Sequence, residues 1–460
     1  MERIPYVLFI GIFFLDFLAI RLGVLPRLVT WLPDLFAGTV ALVALLCIGY
    51  TKTLRIAPKY LVLFALVCLC VAASAIMNGM SAGTVLAGIR NYFKYTPFFI
   101  LPLVWRYTDE QFRRQLVFLL GLAVLQVPLA LVQRFVQHKH VDFVTGSLNI
   151  SSILSMFLIA TIVVLLAFKV RGRLSWGRFL ALAALLFIPT TINDTKGAML
   201  MLPLAIAIVV AVSATDWRKR VMYLALAGSG STFVLLTAIV LYDATTLAPG
   251  EQGLARFLTD RQAVSSYLYS GTADEVDPGT VLDHEDTTGI VRSPRPELNP
   301  DDDRVARFDG ISLAYRALRE DPLQLAFGLG AGNVSRFTVR GFSGEYDYLE
   351  AFRAKRTALD MFLWECGLLG TALLLLFFVF VFHDARRHAQ TAGTTLSGIF
   401  ALGWTGVVAI IVFSLVYKNF MVFDVLGFLF WYGSGYVVAS RWDALRAAAR
   451  TPRHGTIVVA

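Results

Sequence analysis

Cysteine, histidine and charge are all scarce in this chain. Only Cys47, Cys68, Cys70 and Cys366 occur in 460 residues, all inside apolar segments. An exported loop without cysteine carries no disulfide, and no Cys/His spacing of the zinc type is present. The six histidines do not pair on a helix face, which argues against a catalytic zinc site. A Walker sequence and a dinucleotide glycine motif are both missing, so cytoplasmic ATP chemistry has no support. An internal repeat of the transporter kind is not evident either. Charged residues make up 16% of the chain, against about 25% in ordinary soluble domains.

Apolar runs fill the space that charge leaves. Hydrophobic residues reach 57%, and segments of about 18 or more recur, each long enough to cross a bilayer as a helix. The run after Met1 is long and lacks a small-residue cleavage site, so it reads as a first transmembrane helix and not a cleaved leader. The pattern predicts helices over 6–22, 31–50, 59–77, 83–104, 115–134, 149–168, 177–193, 197–213, 221–242, 358–382, 396–416 and 420–440. The expected fold is an all-α polytopic membrane protein of about twelve spans. It divides into transmembrane helices over 1–242, a long loop over 243–357, further helices over 358–440 and a basic tail over 441–460.

Basic residues orient this arrangement. With the N-terminus inside, the cytoplasmic segments hold 20 Lys and Arg, and the short opposite loops hold 6. Cytoplasmic loops carry such an excess when the helix count is right. The long loop then faces the periplasm or cell exterior, and both termini face the cytoplasm. The net charge of +9 is a matter of topology and anionic lipid, not of nucleic acid. The loop itself holds 19 of the 32 acids and 13 basic residues. Its proline-rich, acidic front reads as irregular. Across Phe308–Arg319, the residues Ile311, Leu313, Ala314, Ala317 and Leu318 give one apolar face, as expected of a helix lying on the bundle or at the interface.

Ions inside apolar segments usually face a polar cavity, because burying them is expensive. In GIRNYFKYTPFF, Arg90 and Lys94 are four residues apart, a spacing at which like charges repel. An anion beside them, such as a pyrophosphate, resolves the repulsion. Snorkelling, or a carboxylate on another helix, would resolve it too. Lys196 stands at an outer turn in TINDTKGAML, either as a ligand or in an ordinary capped hairpin with Asp194 as the cap. In RAKRTALDMFLWECGLLG, Lys355 and Arg356 lie just outside the membrane, with Asp360 and Glu365 in the first turns of the helix. Arg356 and Asp360 have the spacing of a simple i,i+4 pair, and Glu365 could serve only to bond a neighbouring helix. Asp16, Asp34 and Asp424 are also membrane-embedded or nearly so. Gly328, Gly330 and Gly332 in FGLGAGN form either a tight turn or a phosphate contact.

In this order, GIRNYF, VTGSLNIS, TKGAML, ARFDGISLAYRALREDP leading into FGLGAG, and FLWECGLLG resemble the O-antigen ligase and polymerase family of bacterial inner membranes. The resemblance covers about residues 85–375. It implies a GT-C-like helical fold and a periplasmic-face glycosyltransferase acting on undecaprenyl-pyrophosphate-linked saccharide, with no metal and no cofactor. The implied pyrophosphate-binding residues are Lys196 and Arg307, joined by Arg90, Lys94 and Arg356. The implied catalytic set is Arg307, Lys196 and Asp360, with Asp360 as general base and Asp194 and Glu345 as competitors. Tyr346, Tyr348 and Phe352 would stack on sugar or pack the loop. At the places of the ligases' His–Asn pair this chain has Arg356 and Thr357, which favours a polymerase of exopolysaccharide, capsule or O-unit. A ligase to lipid A core and a flippase of lipid-linked saccharide are the alternatives. Other polysaccharide synthesis or export proteins are possible partners.

Overall fold

A computed structural model describes residues 2–193, 195–214, 218, 221, 260, 261, 265, 307–337, 340–347, 357–419 and 424–450. The segment 221–242, apart from Val221, and the acidic front of the long loop lie outside the described residues.

The described residues form helices joined by turns, with no strand among them. In order come α1 (Ile4–Asp16), α2 (Leu32–Thr51), α3 (Pro58–Met77), α4 (Ala82–Phe93), α5 (Thr96–Val104), α6 (Asp109–Leu131), α7 (Ser151–Val170), α8 (Trp176–Ile192) and α9 (Lys196–Ser213). After the long loop's front come α10 (Arg307–Leu318), α11 (Pro322–Phe327), α12 (Ala358–Thr391), α13 (Leu396–Tyr417) and α14 (Asp424–Arg450). Among the described residues, seven helical stretches are long and apolar enough to cross a membrane. The protein is an all-α, multi-pass membrane protein.

Local chemistry sets the helix ends. Thr108 and Gln111 form a reciprocal capping box at α6, where Asp109 and Glu110 also complement the helix dipole. Ser81 caps α4 through the Thr84 amide, and Thr357 caps α12 through the Asp360 amide at 3.1 Å. The helices depart from the expected spans in two ways. The single span expected over 83–104 is two helices, because Pro97 in the first turn of α5 has no N–H to continue the ladder. The helices expected to end at 382 and 440 run on to Thr391 and Arg450.

Burial separates core from periphery. The α13 span is 78% buried, whereas the spans containing α2 and α3 are 22% buried. Thus α13 is central, with α7, α9 and α12 packed around it. Leu42, Leu45 and Leu46 of α2 and Leu61, Val62 and Leu69 of α3 point outward. Such an apolar surface suits lipid and not water. Aromatic rings fill the layer between α3, α5, α12 and α14. There Phe377 stacks on Trp431 at 4.8 Å, and Phe99 meets both edge-on.

Basic residues gather at one end of the bundle. There Arg55 pairs with Asp443 and Lys59 with Asp384, each at 2.7 Å. Arg171 and Arg173 there donate to the carbonyls of Ala389 and Thr394. These loops belong to the segments in which Lys and Arg are in excess. The long loop's described part packs at the other end.

Candidate functional site

The described part of the loop is docked on the bundle at its own backbone. α12 is interrupted at Gly367, whose φ of 63° and ψ of −166° break the helix. The carbonyls of Trp364 and Glu365 are thereby available to other donors. They accept from the amides of Leu329 and Gly330 at 2.8 and 3.0 Å. The FGLGAG turn thus completes hydrogen bonding at the break, as buried backbone groups require. Both sides of this contact are glycine. A Cβ on Gly328, itself at φ 74°, would lie 2.6 Å from Glu365 C and Gly367 N, and one on Gly367 would lie 2.6 Å from Ala326 O. L-residues with side chains rarely adopt either conformation. On the far side, the Gly328 carbonyl accepts from Asn78 at 3.1 Å and Ser74 at 3.3 Å, both on or just beyond α3.

Glu365 anchors the same junction. Its side chain is fully buried. It accepts from the Tyr92 hydroxyl at 2.6 Å, the Gly332 amide at 2.8 Å and the Ser335 hydroxyl at 2.6 Å. Three donors from α4 and the loop hold a carboxylate that would be costly to bury unpaired. This is the neighbouring-helix bond that sequence offered as the plain reading of Glu365, with two loop donors that sequence did not show. The Gly-rich segment is therefore a packed turn in the bundle. Asn333 folds the next stretch, donating to the Leu329 carbonyl and accepting the Glu345 amide. Thr84 of α4 donates to the Ser343 carbonyl.

α10 lies beside this junction with Leu313, Ala314, Ala317 and Leu318 buried against Leu363 and Trp364 of α12. That is the apolar face predicted for the segment. Tyr346 packs on the same cluster, and burial, with Glu345 beside it, holds its phenol above the ordinary value. Tyr348 and Phe352 lie outside the described residues.

The first turns of α10 and α12 meet at one end of the bundle, where the first turn of α9 packs on the end of α13. Asp360 is wholly buried. A Cβ on Gly310 of α10 would stand 3.1 Å from its Oδ2, so α10 crosses directly over it. Arg307 opens α10, one turn before Gly310. Asn419, following α13, donates to Met361 Sδ at 3.2 Å beside Asp360. Two residues earlier, the Tyr417 ring lies where a Cβ on Gly197 would be, at 2.5 Å. Lys196 opens α9 at that contact. The side chains of Lys196 and Arg307, with Asp194 and Arg356 altogether, lie outside what the structure describes. Buried polar groups surround this place. Asn193 is bonded to Ser155 and to the Ser151 carbonyl. Thr195 Oγ1 and Asn419 Oδ1 have no hydrogen-bond partner among the described residues.

Arg90 and Lys94 sit apart from this cluster and from each other. Arg90 pairs with Asp34 of α2 at 2.6 Å, its guanidinium over the Trp31 ring. Lys94 pairs with Asp424 of α14 at 2.5 Å, and Tyr95 donates to the same carboxylate at 3.2 Å. The like charges at 90 and 94 are thus separated by two carboxylates from distant parts of the chain. Asp16, the third of the membrane-embedded acids, accepts from Asn149 at 2.7 Å.

No protein-family model and no curated protein matches this chain.

Proposed function

We propose that the protein is a membrane glycosyltransferase that polymerises undecaprenyl-pyrophosphate-linked oligosaccharide units on the periplasmic face of the bacterial inner membrane. The observation that carries this reading is that α10, opened by Arg307, crosses the buried Asp360 of α12, while α9, opened by Lys196, packs on the end of α13 that reaches Met361. A buried carboxylate, with basic residues opening the neighbouring helices, suits transfer from a lipid pyrophosphate. The acceptor hydroxyl oxygen attacks the anomeric carbon, and the bond from that carbon to the pyrophosphate oxygen breaks with inversion. Lys196 and Arg307 offset the charge growing on the leaving pyrophosphate. Asp360 takes the acceptor proton. In this reading Arg90 and Lys94 hold the helices around the lipid-linked donor through their carboxylate pairs.

The deciding experiment incubates the purified full-length protein with a defined undecaprenyl-pyrophosphate oligosaccharide and resolves the products by size. A ladder supports the polymerase. A single transfer to lipid A core makes it a ligase. Translocation of the saccharide without a new glycosidic bond defeats the enzyme reading.

A further inference from the structure

At the opposite, basic end, α6, α7, α13 and α14 part to leave a cavity of about 240 Å³. Its walls are almost wholly apolar, including Leu116, Leu120, Phe157, Val164 and Ile411. Along α13 the lining runs from Phe400 to Ile411, roughly 16 Å at 1.5 Å per residue. That is about half of a hydrocarbon core of about 30 Å, or one leaflet.

Three kinds of chemistry follow one another along this cavity. Arg113 and Arg173 line its mouth. Among the described residues, Arg113 and Arg114 share the carboxylate of Glu110, while Arg173 donates to the Thr394 carbonyl. Asp109 lines a separate cavity with Arg106 and Asp443. The mouth therefore keeps positive charge beyond what its own acid offsets. Two residues deeper than Arg113, Gln115 is 1% exposed and lines the wall. Its Oε1 accepts from the Tyr432 hydroxyl at 2.5 Å, and its Nε2 has no partner among the described residues. Exchanging the two amide atoms leaves one polar end unpaired in either case. An unpaired buried donor costs free energy unless a ligand satisfies it. Below Gln115 the walls are hydrocarbon and aromatic.

We infer that this cleft is a binding site for one anionic glycerophospholipid of the leaflet at the basic end. The phosphate lies at Arg113 and Arg173, an ester carbonyl accepts from Gln115, and an acyl chain fills the apolar cavity. The site is separate from the proposed transfer site, at the other end of the bundle, and does not depend on that function.

Native mass spectrometry of the detergent-purified full-length protein tests it, with dioleoyl phosphatidylglycerol and dioleoyl phosphatidylcholine as probes. Wild type is expected to hold one phosphatidylglycerol in preference to phosphatidylcholine. Arg113→Ala with Arg173→Ala should reduce that occupancy by about tenfold or more while leaving the melting temperature near wild type. Ala160→Phe, which fills the apolar part, should reduce occupancy by both lipids. Absence of retained lipid on wild type, as when another segment of the chain fills the cleft, overturns the inference. Equal retention of the two lipids, or undiminished retention by the double arginine variant, overturns it as well. If Ala160→Phe fails to fold, the arginine variant alone decides.

Discussion

The Tyr92 hydroxyl donates to the buried carboxylate of Glu365 across 273 positions of sequence. That bond joins α4 to the first part of α12, and the same carboxylate holds the loop through Gly332 and Ser335. Glu365→Ala would leave three buried donors without their acceptor, at about 1–3 kcal/mol each. The expected outcome is a large fall in melting temperature in detergent, with a smaller fall for Tyr92→Phe, which removes one donor and its bond together. Equal melting temperatures for wild type and Glu365→Ala would contradict this account.

Gly367→Ala tests the break in α12. The substitution imposes a side chain at positive φ and directs it into Ala326 and the Gly328 amide. Loop docking should fail, exposing the 307–347 region to limited proteolysis under conditions where wild type resists. Gly393 also has a positive φ, but a Cβ there meets nothing within 4 Å. Gly393→Ala should therefore carry only the backbone strain and leave the proteolysis pattern unchanged.

The ion pair of Lys94 and Asp424 can be dissected by a double-mutant cycle. Lys94→Met leaves the partly buried Asp424 carboxylate with no counter-charge and only the Tyr95 hydroxyl as donor, a loss below the roughly 3–5 kcal/mol of a deeply buried pair. Adding Asp424→Leu should recover much of that loss in melting temperature, as coupled neighbours do. A pair that served only as a phosphate site would show no such recovery of stability.

For the proposed transfer reaction, Lys196→Ala, Arg307→Ala and Asp360→Asn should each reduce glycan joining by about 10²-fold or more, with melting temperatures close to wild type for the first two. Full activity in Lys196→Ala and Arg307→Ala would remove the pyrophosphate assignment.

Much of the fold was legible because apolar run length and helical period are local properties. The starts of α9 and α12 and the apolar face of α10 follow directly from residues a few positions apart. What joins them was not legible. Arg90 and Lys94 announced a need for negative charge, but Asp34 and Asp424 lie 56 and 330 positions away, and nothing local selects them over Asp16. The break at Gly367 was hidden because hydrophobicity continues through it. The three donors to Glu365 were hidden for the same reason as the ion pairs, since each comes from another element. The Thr-Pro step at 96–97 was the one local signal that an expected single span would divide.

The docking of FGLGAG into the break of α12 sets an order of assembly. The carbonyls that receive Leu329 and Gly330 belong to Trp364 and Glu365, which the ribosome makes later. The surface of α3 and α4 on which the same turn rests is made long before. During synthesis the turn therefore has one half of its seat and must wait for the other. A chain truncated ahead of α12 keeps the residues of the loop and loses its shape, so the segment from α12 onward acts as the template on which the loop before it is finished.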